Sequence, residues 1–131
     1  MDIASLRECR HIAKEIKQLE ELYVSILGPS GRTIDGMPRG GSTSDPVSSI
    51  VNQRVRLHEQ LMTKRAELME YIIEIEDYIQ SISSSLDRQI MRDYYFYGYN
   101  LEEIGERVGY SERQVRRRRN MILEKMSCNV N

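Results

Sequence analysis

The 131-residue chain has no Trp, one Phe, two Cys and three Pro. It has no apolar run approaching the roughly 18 residues of a membrane-spanning helix, which excludes a helical membrane protein. Cys9 and Cys128 stand near opposite ends, too few and too far apart in sequence for a disulfide-built secreted domain. The opening Met1-Asp2-Ile3-Ala4-Ser5 has no basic-then-apolar signal pattern, so reduced thiols and a cytoplasmic location are expected. Catalytic constellations are missing too. His11 and His58 are far apart on helical stretches, without partners at zinc-ligand spacing. Glu74, Glu76 and Asp77 read as a solvated helix face, and no glycine-rich phosphate loop follows a strand. The expectation is a non-enzyme with no cofactor and no metal.

Charge of one sign is also lacking overall, with 19 Lys+Arg against 20 Asp+Glu. The distribution is uneven. Residues 1–27 hold four basic and five acidic groups, and residues 47–83 hold four and six. Residues 111–126 hold six and two, four of the six being consecutive as Arg116-Arg117-Arg118-Arg119. A local positive patch on a neutral chain points to one dedicated contact with an anionic surface.

What is present is helical periodicity, on a composition of 40% apolar and 30% charged residues. Ile12, Ile16, Leu19, Tyr23 and Ile26 follow a 4-3 spacing that Gly28-Pro29 stops, predicting a helix over about 2–27. Residues 28–46 carry all three prolines and five of the eight glycines, and read as a linker. Asp45 can cap a second helix and Pro46 suits its first turn. Val47, Val51, Arg54, His58, Leu61, Arg65, Leu68, Ile72, Ile75, Ile79 and Ile82 then predict a helix over about 47–83. Arg54, His58 and Arg65 are polar seam positions that set register or send their heads to solvent.

At 1.5 Å per residue these helices would be about 39 and 55 Å long. Folded as an antiparallel hairpin, the shorter one runs out near residue 72. Ile72, Ile75, Ile79 and Ile82 then need cover from the C-terminal region or from a second copy of the chain. A homodimer is the favoured expectation.

Residues 86–126 break into three short helices. The first ends at Gly98, with Ile90, Met91, Tyr94 and Tyr95 facing inward. The second opens on a capping box, Asn100-x-x-Glu103, and ends at Gly109. The third opens on Ser111-x-x-Gln114. The second and third fit a helix-turn-helix with a core of Ile104, Gly105, Val108, Gly109, Val115 and Ile122. A small residue at 105 allows close crossing, and Gly109 suits a left-handed turn. The alternative is a plain helical hairpin. Tyr94, Tyr95 and Tyr99 are needed as core, stacking on single-stranded bases being their other possible use.

In a helix-turn-helix the second helix enters the DNA major groove. The candidate contacts are Ser111, Glu112, Arg113, Gln114, Arg116, Arg117, Arg119 and Asn120. Arg can bind guanine bidentately, Gln and Asn can read adenine, and Glu can accept from cytosine. At about 100° per residue four consecutive arginines cannot all face DNA. Val115, Arg118, Ile122 and Met126 fall on the inward side, so Arg118 is expected to lay its stem on the core and reach Glu103 or Glu106.

The stretch from Leu101 to Val115 resembles the helix-turn-helix of region 4 of bacterial sigma factors, which recognises the promoter −35 element. The whole chain, including Met37-Pro38-Arg39-Gly40-Gly41 and Asp45-Pro46-Val47, is similar to phage and prophage late-transcription regulators of the ArpU/RinA type. The resemblance implies DNA binding, with region-4-like contacts on Glu112, Arg113, Gln114, Arg116 and Arg117. Arg118 departs from the pattern, which has an aliphatic residue there.

The expectation is therefore an all-α protein. A helical hairpin over residues 1–83 supports and dimerises a DNA-binding domain over residues 84–131, whose three helices alone make a marginal core. It would bind double-stranded DNA and regulate phage or prophage transcription. A terminase-small-subunit-like packaging protein and a module docking on RNA polymerase remain alternatives.

Overall fold

The computed structural model describes residues 2–27 and 46–129. The linker, Asp45 and the side chains of Ile26 and Val47 lie outside the described residues. Within them are five helices and no strand: α1 (Ile3–Leu27), α2 (Pro46–Gln80), α3 (Ser85–Tyr95), α4 (Leu101–Val108) and α5 (Glu112–Asn129). Among the described residues, no helix is long and apolar enough to cross a membrane. The chain is all-α, two long helices followed by a three-helix C-terminal segment, as the periodicity predicts.

Helix boundaries follow from capping chemistry. Asp2 accepts the Ser5 amide at 2.8 Å and opens α1. α2 ends at Gln80, three residues before the predicted end, because a serine-rich stretch offers the backbone other partners. The Ser81 hydroxyl donates to the Tyr78 carbonyl, and Ser84 caps α3 by accepting from the Asp87 amide. Arg88 donates to the Ile82 and Ser83 carbonyls, satisfying the chain between the two helices.

Packing divides the chain into two compact units. One comprises residues 1–14 with 66–131, and the other residues 15–65. In the second unit, Ile16 and Leu61 are buried. Lys64 pairs with Glu15, Arg65 with Glu20, and the Tyr23 ring lies against His58, an antiparallel pairing order. Arg65 and His58 thus meet polar or aromatic partners beside the seam with exposed heads.

The first unit holds the main core. Leu6 and Cys9 of α1 meet Ile75 and Ile79 of α2, Met91 and Tyr95 of α3, Phe96, and Ile122 and Met126 of α5. Ile75 and Ile79 have no exposed surface, and Ile72 and Ile82 pack against the same cluster. The isoleucines predicted to need cover receive it from the C-terminal region and from the start of α1. A smaller cluster of Ile90, Ile104 and Val115, flanked by Leu86, Tyr94, Tyr99, Leu101 and Val108, ties α3, α4 and α5 together.

Polar groups lock these helices. Glu76 is not a solvated carboxylate as read from sequence: Arg92 grips it with two bonds, Nε to Oε1 at 3.0 Å and Nη2 to Oε2 at 2.6 Å. That pair holds the Glu76 carboxyl below its ordinary value. Asp93 is fully buried, accepting from Gln89 at 2.8 Å and from Arg107 Nε at 3.2 Å, which fastens α3 to α4. Arg10 of α1 donates to the Tyr94 and Tyr99 carbonyls at 2.7 and 2.9 Å, placing a cation at the C-terminal end of α3.

At the α4–α5 turn both glycines have a geometric reason. Gly109 is left-handed at φ 81°, and its amide bonds to the Gly105 carbonyl. A Cβ at Gly105 would meet the Tyr110 carbonyl oxygen at 2.5 Å, whereas one at Gly109 meets nothing within 4 Å. Gly105→Ala must move backbone and is expected to cost about 1–3 kcal/mol. Gly109→Ala pays only the left-handed strain, about 1 kcal/mol. Thermal melts of the two variants should rank them in that order.

Burial also sets an alkaline limit. The Cys9 thiol donates to the Tyr95 carbonyl at 3.3 Å, and burial pushes its pKa up to about 12. Burial likewise pushes the Tyr95 phenol up to about 12. Unfolded, these groups ionise near their ordinary values of 9.0 and 10.0. Both folded values are raised, so their contribution is fully present below about pH 9 and is lost as pH rises toward 12. Urea melts at pH 8, 9.5 and 11 should show falling stability, with a shallower fall in Cys9→Ala.

Candidate nucleic-acid interface

α5 is presented by the turn that precedes it. The Ser111 amide donates to Gln114 Oε1 at 2.9 Å, and the Gln114 amide donates to Ser111 Oγ at 3.1 Å. This reciprocal capping box matches the one at α4, where Asn100 and Glu103 exchange bonds of 3.0 and 2.8 Å. Val115, with no exposed surface, then seats α5 against Ile104 of α4, and Ile122 and Met126 continue the buried face into the main core.

That seating decides which side chains face outward. Arg113, Arg116, Arg117 and Asn120 line one shallow exposed surface of α5 with Met121 and Glu124. Arg113, Arg117 and Asn120 recur at helical spacing opposite Val115 and Ile122, so they project directly away from the core. Arg116 lies beside them and pairs with Glu112 one turn back at 2.7 Å. Both partners are about half exposed, so the pair contributes little to stability and can be exchanged for a phosphate.

Ser111 and Gln114 sit at the N-terminal edge of this surface, but they cap the helix. With its carbonyl oxygen accepting from Ser111, Gln114 has only its amide NH2 to offer, half of a bidentate adenine contact. The sequence-predicted residues thus divide. Arg113, Arg116, Arg117 and Asn120 come together, Glu112 neutralises part of the patch, and Ser111 and Gln114 orient the helix.

The last two arginines of the run turn aside. Arg118 does not reach Glu103 or Glu106. Its Nη1 donates to Asp87 Oδ1 at 2.7 Å, because the first turn of α3 lies closer to that flank, and Glu103 is committed to its capping box. The Arg118 guanidinium thereby fastens α5 to α3. Arg119 is not on the outward surface either. It lies over the Tyr94 ring, 4.7 Å from its centroid, on the flank facing α1.

Sequence reasoning missed the pairs that hold this arrangement, Asp93–Arg107 and Arg92–Glu76, and the Arg10 anchor. Asp93 carried a usable signal: it follows Ile90 by three positions on the inward stripe of α3, where a carboxylate needs partners. Among the described residues, no group of three His, Cys, Asp or Glu could hold a metal ion.

No curated protein and no solved structure matches the chain. Residues 84–127, which span α3, α4 and most of α5, match the family Sigma-70, region 4, so this C-terminal segment is a sigma region 4-like helix-turn-helix.

Proposed function

We propose that this chain is a sequence-specific double-stranded DNA-binding regulator that lays α5 in the major groove. The observation that carries this reading is the exposed row of Arg113, Arg117 and Asn120 on the second helix of a region 4-like helix-turn-helix. Arg113, nearest the helix N-terminus, and Arg117 one turn on have the reach for guanine edges, and Asn120, whose Oδ1 accepts from Arg119 Nη2 at 3.1 Å, keeps its amide NH2 for a base edge. Arg116, to the side, suits a phosphate. The setting in this reading is phage or prophage transcription, the role that a resemblance to ArpU/RinA-type regulators implies.

The chain acts as a homodimer in this reading. Along α2 within the second unit, Val51, Val55 and Met62 are exposed at steps of four and seven residues, a coiled-coil spacing that favours a second copy. A two-fold dimer would read half-sites one helical turn apart, or a multiple of it. Sedimentation equilibrium should give a dimer that Val55→Glu with Met62→Glu converts to monomer. A ring of many subunits would instead favour a packaging role.

Duplex binding across a salt series tests the reader assignment. Wild type should bind with steep salt dependence, and Arg113→Ala/Arg116→Ala/Arg117→Ala should lose it. Singly, Arg116→Ala should weaken all sequences alike and flatten the slope by about 1, while Arg113→Ala should cost about 1–3 kcal/mol chiefly on the preferred site. Unchanged affinity in both Arg116→Ala and Arg117→Ala would overturn α5 as the reader. Absent binding by a folded sample at low salt would favour docking on RNA polymerase instead.

A further inference from the structure

A second cationic surface lies away from the outward face of α5. Arg7, Arg10, His11 and Lys14 fall at i, i+3, i+4 and i+7, one face of α1. They line a cleft of about 380 Å³ together with Tyr94 and Arg119, all within the first compact unit. No Asp or Glu lines it.

Two guanidinium groups share one aromatic ring there, Arg10 at 3.7 Å and Arg119 at 4.7 Å from the Tyr94 centroid. Arg10 is fixed by its two carbonyl acceptors, so it cannot swing away from Arg119 without giving them up. Burial, and with it the nearby Arg119 charge, holds the Arg10 pKa below its ordinary value. Arg119 Nη2 donates to Asn120 Oδ1 at 3.1 Å, but its Nε is buried with no hydrogen-bond acceptor. Buried donors in folded proteins find acceptors, and crowded cations find anions. Arg7, His11 and Lys14 stand at the rim, exposed and able to close around a ligand.

We infer that this cleft is a phosphate-binding site, taking either the phosphate of a free ligand or a backbone phosphate of duplex DNA beside the one α5 reads. Several cations converging without a carboxylate suit a multiply charged tetrahedral anion, and Arg forks match its oxygens. The free-ligand source stands independently of the function proposed for α5.

The test uses the full chain, pyrophosphate as probe, and the variant Arg7→Gln/Lys14→Gln, which keeps the side-chain stems and removes two charges from exposed positions. Calorimetric titration should show pyrophosphate binding that the variant weakens at least tenfold; this identifies the free source. If pyrophosphate does not bind, but the variant flattens the log-affinity against log-salt slope for duplex DNA by about 2, the site holds backbone phosphate. Three results overturn the assignment: no effect in either arm, equal pyrophosphate binding by wild type and variant, or tighter binding of polyglutamate than pyrophosphate. If wild type binds no duplex, the DNA-reading function fails and the pyrophosphate titration alone decides the cleft. Pyrophosphate binding retained by Arg113→Ala/Arg116→Ala/Arg117→Ala would keep the two surfaces separate.

Discussion

A three-helix segment as short as α3–α5 encloses little interior of its own, and the rest of the structure adds to it. Ile90, Ile104 and Val115 make only a small cluster. The larger one needs Ile75 and Ile79 from α2 and Leu6 and Cys9 from α1 to enclose Met91, Tyr95, Ile122 and Met126. Without those four residues the C-terminal half of α5 would keep only Met91, Tyr95 and Phe96 to cover its apolar face. The direction in which α5 projects its arginines is therefore set partly by residues far away in sequence, outside the region 4 match.

This sharing explains where the polar locks occur. Each joins an element of the C-terminal segment to a neighbour: Arg92 to Glu76 of α2, Arg107 to Asp93, Arg118 to Asp87, and Arg10 of α1 to the carbonyls of Tyr94 and Tyr99. Asp93 is the most demanding, since a carboxylate with no exposed surface is tolerable only with donors in place. Apolar contact brings these helices together without direction, and the directional bonds then fix their rotation.

Much of this was legible in the sequence because it is local. The capping boxes at Asn100 and Ser111, the turn at Gly109 and the inward places of Ile104, Val115 and Ile122 depend on residues within one or two helical turns. The need to cover Ile75 and Ile79 was legible as well, because helix lengths follow from residue counts. The partners were not. Leu6 and Cys9 precede the 4-3 seam that began at Ile12, and nothing local marks Arg10 as the residue that reaches the end of α3. A bond across 84 positions leaves no periodicity to detect.

The arginine run shows the same limit at the candidate site itself. Read as composition, Arg116 to Arg119 is a single basic patch. Wound at about 100° per residue it cannot be one surface. Val115 and Ile122 anchor the inner face, so Arg117 points outward and Arg116 lies beside it, while Arg118 and Arg119 fall on opposite flanks of the buried ridge. One flank offers Asp87, and Arg118 becomes a brace. The other offers an aromatic ring already held by Arg10, and Arg119 joins a second cationic cluster with α1. Four identical side chains take different roles because the core beneath them fixes the rotation of the helix, and charge counting carries no information about that rotation.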